Sequence, residues 1–405
     1  MRKLLLIAFS LFHFCVLAQA EKQYQIRTVA FYNLENLFDT ENDTLIFDDD
    51  RTPEGKDNWT LKRYNKKLDH LTRVLSEIGS EVTKTSPDII GVCEVENLSV
   101  IEDLVNHGNL IDKQYGIVHF DSPDERGIDV ALLYKKDVFL PTSFASHRLL
   151  LFDDEDHRNY TRDQLLVGGY LDNEPYYFMV NHWPSRSGGE ARSRPNRIAA
   201  AKLSRRIIDS IQRLNADAKI IGMGDFNDDP IDYSFKKVLK TKGEIEDVLA
   251  AEEYQITENP VHENSTANLA VNDASDSQEI VTKQTNPTRN QSINSVVHPE
   301  RIGLYNPMEK LYRKGIGSLA YRDKWNLFDQ IYFTENIIAP PVGTYRFWKA
   351  GVFNRPYLIS KKGRFKGYPF RTYAGGSYTG GYSDHFPVFM YLIREVSPVS
   401  EKKEN

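Results

Sequence analysis

Acids, amides and imidazoles gather at the ends of apolar runs in this chain. In "IIGMGDFNDDP", residues 220–230, an apolar run passes through Gly224 into Asp225, Asn227, Asp228 and Asp229 before Pro230. A turn alone recruits these types, because Asp and Asn side chains bond nearby backbone groups and Pro presets its own dihedral. The pattern nevertheless recurs elsewhere. Asn33 and Glu35 close "IRTVAFYNL", Glu94 and Glu96 close "DIIGVCEVEN", His182 ends "YYFMVNH", and Asp384 and His385 sit in "GYSDHFPV" before the last apolar run. Hard oxygen donors and imidazoles at one rim are what a divalent cation and a phosphate ester require. One such end is a turn; five make a site. Asp228 and Asp229 are read as turn and surface residues.

The elements that must position these residues are short β-type runs alternating with helical stretches. "IRTVAFYNL", "DIIGVCEVEN", "IDVALLYKK" and "AKIIGMGDF" read as strands, and "QLLVGGYL" and "YYFMVNHW" as a strand pair joined through "DNEP". "FDQIYF" and "PVFMYLI" add two more. "NKKLDHLTRVLSEIGSEV" carries Leu68, Leu71, Val74, Leu75 and Ile78 on one helical face, and "RIAAAKLSRRIIDSIQRLN" is a second helix. Many strands with few helices between them do not suit a doubly wound parallel sheet. The expected class is α+β: a four-layer α/β/β/α sandwich of two mostly antiparallel sheets flanked by helices. Residues 21–396 are expected to form one domain, with a polar surface insertion at about 252–300 and a disordered tail at 397–405.

Residues 1–20, "MRKLLLIAFSLFHFCVLAQA", have Arg2 and Lys3, an apolar run and Ala18-Gln19-Ala20, the pattern of a secretory signal cleaved after Ala20. Cleavage moves the net charge from −6 to −8 by loss of Arg2 and Lys3. An acidic protein holds a polyanion only through a local basic patch or bound cations. Cys15 leaves with the signal, so Cys93 stands alone and the mature monomer has no disulfide; its apolar surroundings make it a buried thiol.

The motifs "YNLEN", "PDIIGVCE", "VNHWPSR", "GDFND", "FDQIYF" and "SDHFPV" occur in the order found in the endonuclease/exonuclease/phosphatase superfamily, whose best-known member is deoxyribonuclease I. The chain resembles a secreted bacterial-type member of it from about Arg27 to Leu392. The resemblance implies a Mg²⁺-dependent hydrolase, with Mn²⁺ or Ca²⁺ as alternatives. Asn33, Glu94 and Asp384 match the metal-binding positions, with Glu96 the alternative to Glu94 by strand period, or else a solvated acid. Asp225 matches the residue that activates water, and Asn227 the donor to a non-bridging phosphate oxygen. His385 matches the phosphate-contacting histidine and Asp329 the carboxylate that fixes its tautomer. His182 matches the second histidine, for which Asp129 is the candidate partner.

On the substrate side, "HWPSRSGGEARSRPNR" places Arg186, Arg192, Arg194 and Arg197 in a basic loop after His182, and Arg126 lies in "DERGIDV". Trp183 and Tyr382 flank the histidines, as structural rings or as surfaces for a base or sugar. The expected function is a secreted or periplasmic phosphodiesterase, an endonuclease acting on DNA, with RNA as the alternative polymer, as a monomer with no stable protein partner and no membrane span after cleavage. The alternative is a phosphatase or phospholipase C-type hydrolase acting on a sugar phosphate or lipid headgroup. A third reading is a binding protein on the same scaffold.

Overall fold

The computed structural model describes residues 22–153, 155–246 and 303–396. The readings of residues 1–20, of the insertion at about 252–300 and of the tail 397–405 lie outside the described residues.

The first strand sets the logic of the fold. In β1 (Gln23–Leu37), Val29 and Phe31 enter one apolar cluster while Ala30 and Tyr32 enter another, all four without solvent exposure. A strand has a two-residue period, so an unbroken apolar run means that both faces are covered. β2 (Ile89–Val95), β3 (Tyr115–His119), β4 (Asp129–Lys135), β5 (Phe139–His147), β6 (Gln164–Leu171), β7 (Glu174–His182) and β8 (Lys219–Asp225) follow. β9 (Thr241–Lys242), β10 (Leu304–Tyr305), β11 (Asp329–Thr334), β12 (Arg346–Val352) and β13 (Val388–Val396) complete two sheets. One has six strands in the order β12-β13-β1-β2-β4-β3; the other has seven, β9-β10-β11-β8-β7-β6-β5. Three pairs are parallel (β1 with β2, β7 with β8, β9 with β10) and the rest antiparallel. The hairpin β6–β7 turns through Asp172 and Asn173, at φ 45° and 70°, the left-handed pair that a two-residue hairpin demands.

The sheets pack face to face through Val29, Phe31, Leu132, Phe178, Ile221 and Ile331, with Cys93 buried among them. They approach so closely at Gly91 that a Cβ there would meet Met223 Sδ at 2.6 Å. Outside the first sheet lie α1 (Leu61–Glu77) and α2 (Leu98–Val105), packed through Leu68, Leu71, Leu75, Ile101 and Leu104. Outside the second lies α3 (Glu190–Leu214), packed through Ala200, Ile208 and Ile211. This is the expected four-layer sandwich. Sequence periodicity did not single out α2, a two-turn helix capped by Asn97, whose side chain accepts from the Val100 N–H.

One boundary needs correction. The expected helix over 197–215 begins seven residues earlier, at Glu190, because Gly188 and Gly189 (φ 74° and 104°) end the loop there. Arg192 and Arg194 are therefore helix residues rather than loop residues.

Candidate functional site

Strand direction explains why the predicted residues converge. β1 and β2 run together, as do β7 and β8, so all four finish at one rim, while the antiparallel neighbours β11 and β13 begin there. Asp225 lies in register with His182 on β7 and with Asp329 on β11. Asn33 is in register with Cys93, just before Glu94.

The backbone is bent where these side chains emerge. Glu35, Asn36, Glu94 and Asn227 all have φ between 51° and 60°. Left-handed backbone in residues other than glycine costs energy and accumulates at functional sites. At Glu94 it coincides with a register shift of β2 against both β1 and β4, a bulge that re-aims the side chain. Glu94 Oε2 accepts from the Asn36 N–H at 3.0 Å, while Oε1 stands 3.8 Å from Arg126 and 3.9 Å from His182 Nε2.

Asp225 is held on both oxygens. Asn33 Nδ2 donates to Oδ2 at 3.1 Å and the Asn227 N–H to Oδ1 at 3.0 Å. Burial pushes its carboxyl up to about 7; the His385 charge opposes this, and Asp329 and Glu94 add to it. His385 Nδ1 lies 2.6 Å from Asp329 Oδ2, and its Nε2 lies 3.9 Å from both Asp225 and Asp384. Burial disfavours the His385 charge, but Asp329, Asp384 and Asp225 outweigh it and hold the imidazolium well above its ordinary range. His182 is the opposite case. Burial, reinforced by Arg162, Arg126 and His385, holds it well below the ordinary range and neutral, with Nε2 3.7 Å from Asp225 Oδ2. The rim thus carries one charged and one neutral imidazole on either side of one carboxylate.

Several expectations are corrected. Asp129 is not the partner of His182: its Oδ2 bonds His119 Nε2 at 3.0 Å and its Oδ1 takes the Ser122 N–H, leaving His182 Nδ1 without a partner. Asp228 and Asp229 are buried rather than surface residues. Asp228 accepts from Arg197 and Ser234, and Asp229 from the Leu327 N–H, which pins the end of β8 to the approach of β11. Arg197, fully buried against Asp228, faces no substrate, and Arg186 is spent on the Asn227 carbonyl, Asp228 and Asp232. Arg194 pairs with Glu190, whereas Arg192 is exposed with no ion pair among the described residues. Arg126, half-exposed beside Glu94, is the basic residue that the fold brings to the rim. Glu96 is buried and accepts from the Asp39 N–H, so it is neither a solvated acid nor a second Glu94. Trp183 is buried against Phe226 and Phe235, and Tyr382 stacks on His70 at 4.3 Å, so both rings are structural.

Two supporting residues escaped the sequence reading. Lys67 is buried on the apolar face of α1, donating to Thr372 Oγ1 and the Tyr382 carbonyl and standing 3.7 Å from Glu35. Burial pushes the Glu35 carboxyl up to about 7 against that lysine, and Glu35 takes the Thr372 N–H. The signal was available, since position 67 falls on the stripe formed by Tyr64, Leu68 and Leu71. Arg162 gave no such signal. Its guanidinium joins Asp124, at 2.8 Å, to the Trp183 carbonyl, which also accepts the Asn227 amide at 3.0 Å.

The donor set fits a hard divalent cation. Carboxylates outnumber cationic groups at the rim, Asp225 is pushed up, Asp329 Oδ1 is buried without a partner, and Asp225 and Asp329 offer carboxylate oxygens within 4.8 Å of each other. Asp384, with its side chain 34% exposed, and Glu94 present further oxygen ligands.

A family model described as Endonuclease/Exonuclease/phosphatase family matches residues 28–276 and 265–394. Among solved structures, the chain is similar to an endonuclease/exonuclease/phosphatase family protein from Bacteroides thetaiotaomicron, at 16% identity over 92% of this chain and 100% of that one, with a TM-score of 0.48. It is also similar to the mannosyl-6-phosphatase of that organism (16% identity, 90% and 99% coverage, TM-score 0.45). D. rerio TDP2 complexed with single strand DNA product is a third (12% identity, 91% and 99% coverage, TM-score 0.44). No curated protein matches the chain. Among the described residues, no helix is long and apolar enough to cross a membrane.

Proposed function

Because this chain belongs to the endonuclease/exonuclease/phosphatase family, and is thus a phosphoric ester hydrolase, we propose that it is an exported, Mg²⁺-dependent phosphodiesterase that cleaves nucleic acid. Export rests on the signal pattern of residues 1–20. The observation that carries the chemistry is Asp225, fixed on both oxygens by Asn33 and Asn227 between a charged and a neutral histidine.

Asn33, Glu94 and Asp384 would hold a divalent cation, which would supply Lewis-acid polarisation of the phosphoryl oxygen. Asp225 orients the attacking water and takes its proton, with the Asn33 amide keeping Oδ2 in position. Asn227 spends one amide hydrogen on the Trp183 carbonyl and directs the second at a non-bridging phosphate oxygen, where charge accumulates during in-line attack. The His385 imidazolium, aligned by Asp329, binds the same phosphate. His182 is neutral and its Nε2 faces two carboxylates, so it carries its proton there and donates to the phosphate or the leaving oxygen.

The test incubates the chain from Glu21 onward with supercoiled plasmid in Mg²⁺, in EDTA, and as Asp225→Asn. Nicking that requires both the metal and Asp225 is the expected result. Plasmid left intact in Mg²⁺, Mn²⁺ and Ca²⁺, with phosphate released from a monoester, would replace the nuclease reading with a phosphatase.

A further inference from the structure

The chain is acidic overall, with 57 Asp and Glu against 51 Lys and Arg, yet every charged residue from 336 through 383 is basic. This stretch leads directly into Asp384 and His385. Four of its basic residues, Lys361, Lys362, Arg364 and Lys366, stand exposed on one loop closed at its base by the pairing of Ile359 with Pro369 and by the Ser360 N–H on the Tyr368 carbonyl. None of the four forms an ion pair among the described residues. Arg371, partly buried, likewise forms no ion pair among the described residues, and its guanidinium and that of Arg364 lie over the Phe365 ring, at 5.1 and 5.8 Å.

The loop is fastened beside the reacting rim. Trp325 packs against Tyr368 at its base and, on the other side, stacks on Phe386, the residue after His385. Glu35 takes the N–H groups of Thr372 and Tyr373, further along the same stretch. The neighbouring hairpin 319–326 adds exposed Arg322 and Lys324 on either side of one exposed acid, Asp323, which accepts from the Tyr368 hydroxyl.

We propose that the loop 360–368, with Arg371 and the 319–326 hairpin, is a docking surface for the phosphodiester backbone of a nucleic-acid strand whose scissile phosphate lies at His385. The inference rests on the nucleic-acid reading above and assigns that polymer its track. The basic side chains of the loop have no ion-paired counter-charge and repel one another, and a polyanion relieves the repulsion while releasing its own condensed counterions. An anionic membrane is the poorer fit. The one apolar side chain within the loop tip, Phe365, is half-buried beneath two guanidinium groups, leaving no apolar wedge to enter a lipid layer.

The experiment replaces Lys361, Lys362, Arg364 and Lys366 together by Gln, a change confined to exposed tip positions. Binding of a fluorescein-labelled oligonucleotide is followed by anisotropy across a salt series, and hydrolysis of bis(p-nitrophenyl) phosphate is measured in parallel. The expected result is weaker oligonucleotide binding, a slope of log K against log salt reduced by about 3, from roughly 0.7 to 0.9 per lost phosphate contact, and unchanged turnover of the small diester. An unchanged slope in a variant that still cleaves plasmid overturns the docking surface and leaves the nuclease reading standing. A wild-type protein that hydrolyses the small diester but neither binds nor cleaves nucleic acid refutes that reading and the surface with it. Loss of binding to phosphatidylglycerol vesicles with oligonucleotide binding intact assigns the loop to lipid and overturns the proposal.

Discussion

Arg197→Met separates a structural arginine from a substrate-binding one. Arg197 has no solvent exposure, and its Nε donates to Asp228 Oδ1 while Nη1 donates to Ser193 Oγ at 2.8 Å. Methionine keeps the apolar stem and removes the charge, leaving a buried carboxylate with Ser234 at 2.7 Å and Arg186 at 3.3 Å. Breaking a buried pair by removing one partner costs about 3 to 5 kcal/mol. Since Arg186 still neutralises Asp228 in part, the lower end, about 3 kcal/mol, is expected. Burial already pushes the Asp228 carboxyl up in the presence of Arg197. In the variant it rises further, so the loss grows as pH rises and shrinks in acid, where protonation of Asp228 relieves the uncompensated charge. Asp228→Asn added to Arg197→Met should recover stability, with a coupling of about 2 kcal/mol. Urea denaturation followed by tryptophan fluorescence gives these energies, and steady-state kinetics on a small diester gives KM. A variant within about 0.5 kcal/mol of wild type whose KM has risen sharply would return Arg197 to the substrate and refute the assignment.

Asp225→Asn should lower turnover by about 10²- to 10⁴-fold with an unchanged circular dichroism spectrum; comparable turnover would remove Asp225 from the chemistry. Asp329→Asn leaves His385 Nδ1 without its anionic acceptor at 2.6 Å, so the NMR titration of the imidazole should move down toward the ordinary histidine range, and a stationary titration would sink the dyad. Exhaustive EDTA treatment should abolish hydrolysis, with recovery on adding Mg²⁺; activity persisting in EDTA would remove the cation from the mechanism. Burial pushes the Asp172 carboxyl up, but the two-pronged bond from Arg27 and the Tyr345 hydroxyl outweigh it and hold it below the usual range. Its stabilisation is therefore present above the unfolded-state pKa of about 3.9 and disappears as pH falls through the lower native value. Asp172→Asn, which suits the left-handed turn backbone, should cost about 1.5 to 3 kcal/mol at pH 7 and progressively less below pH 4. A loss independent of pH in urea melts would contradict that account.

Residue type and period determined the layers and the rim. Strand alternation in β1 and the helical face of α1 follow from side-chain geometry that any sequence carries, and polar residues at strand ends can lie nowhere but at the edge of a sheet. The five stretches therefore pointed at one site before any coordinate was known. Partnership is another matter, because it depends on which elements meet. Asp129 alternates correctly along β4, but it is β3 that brings His119 to it, and His182 Nδ1 is left without a partner. The arginines after His182 look alike in sequence. Where α3 begins decides that Arg197 points into Asp228 and Arg192 into solvent, while packing against β1 makes Lys67 a buried strut rather than a surface charge. Sequence carries local conformation and the hydrophobic pattern; which charge neutralises which is settled only when layers hundreds of residues apart close on one another.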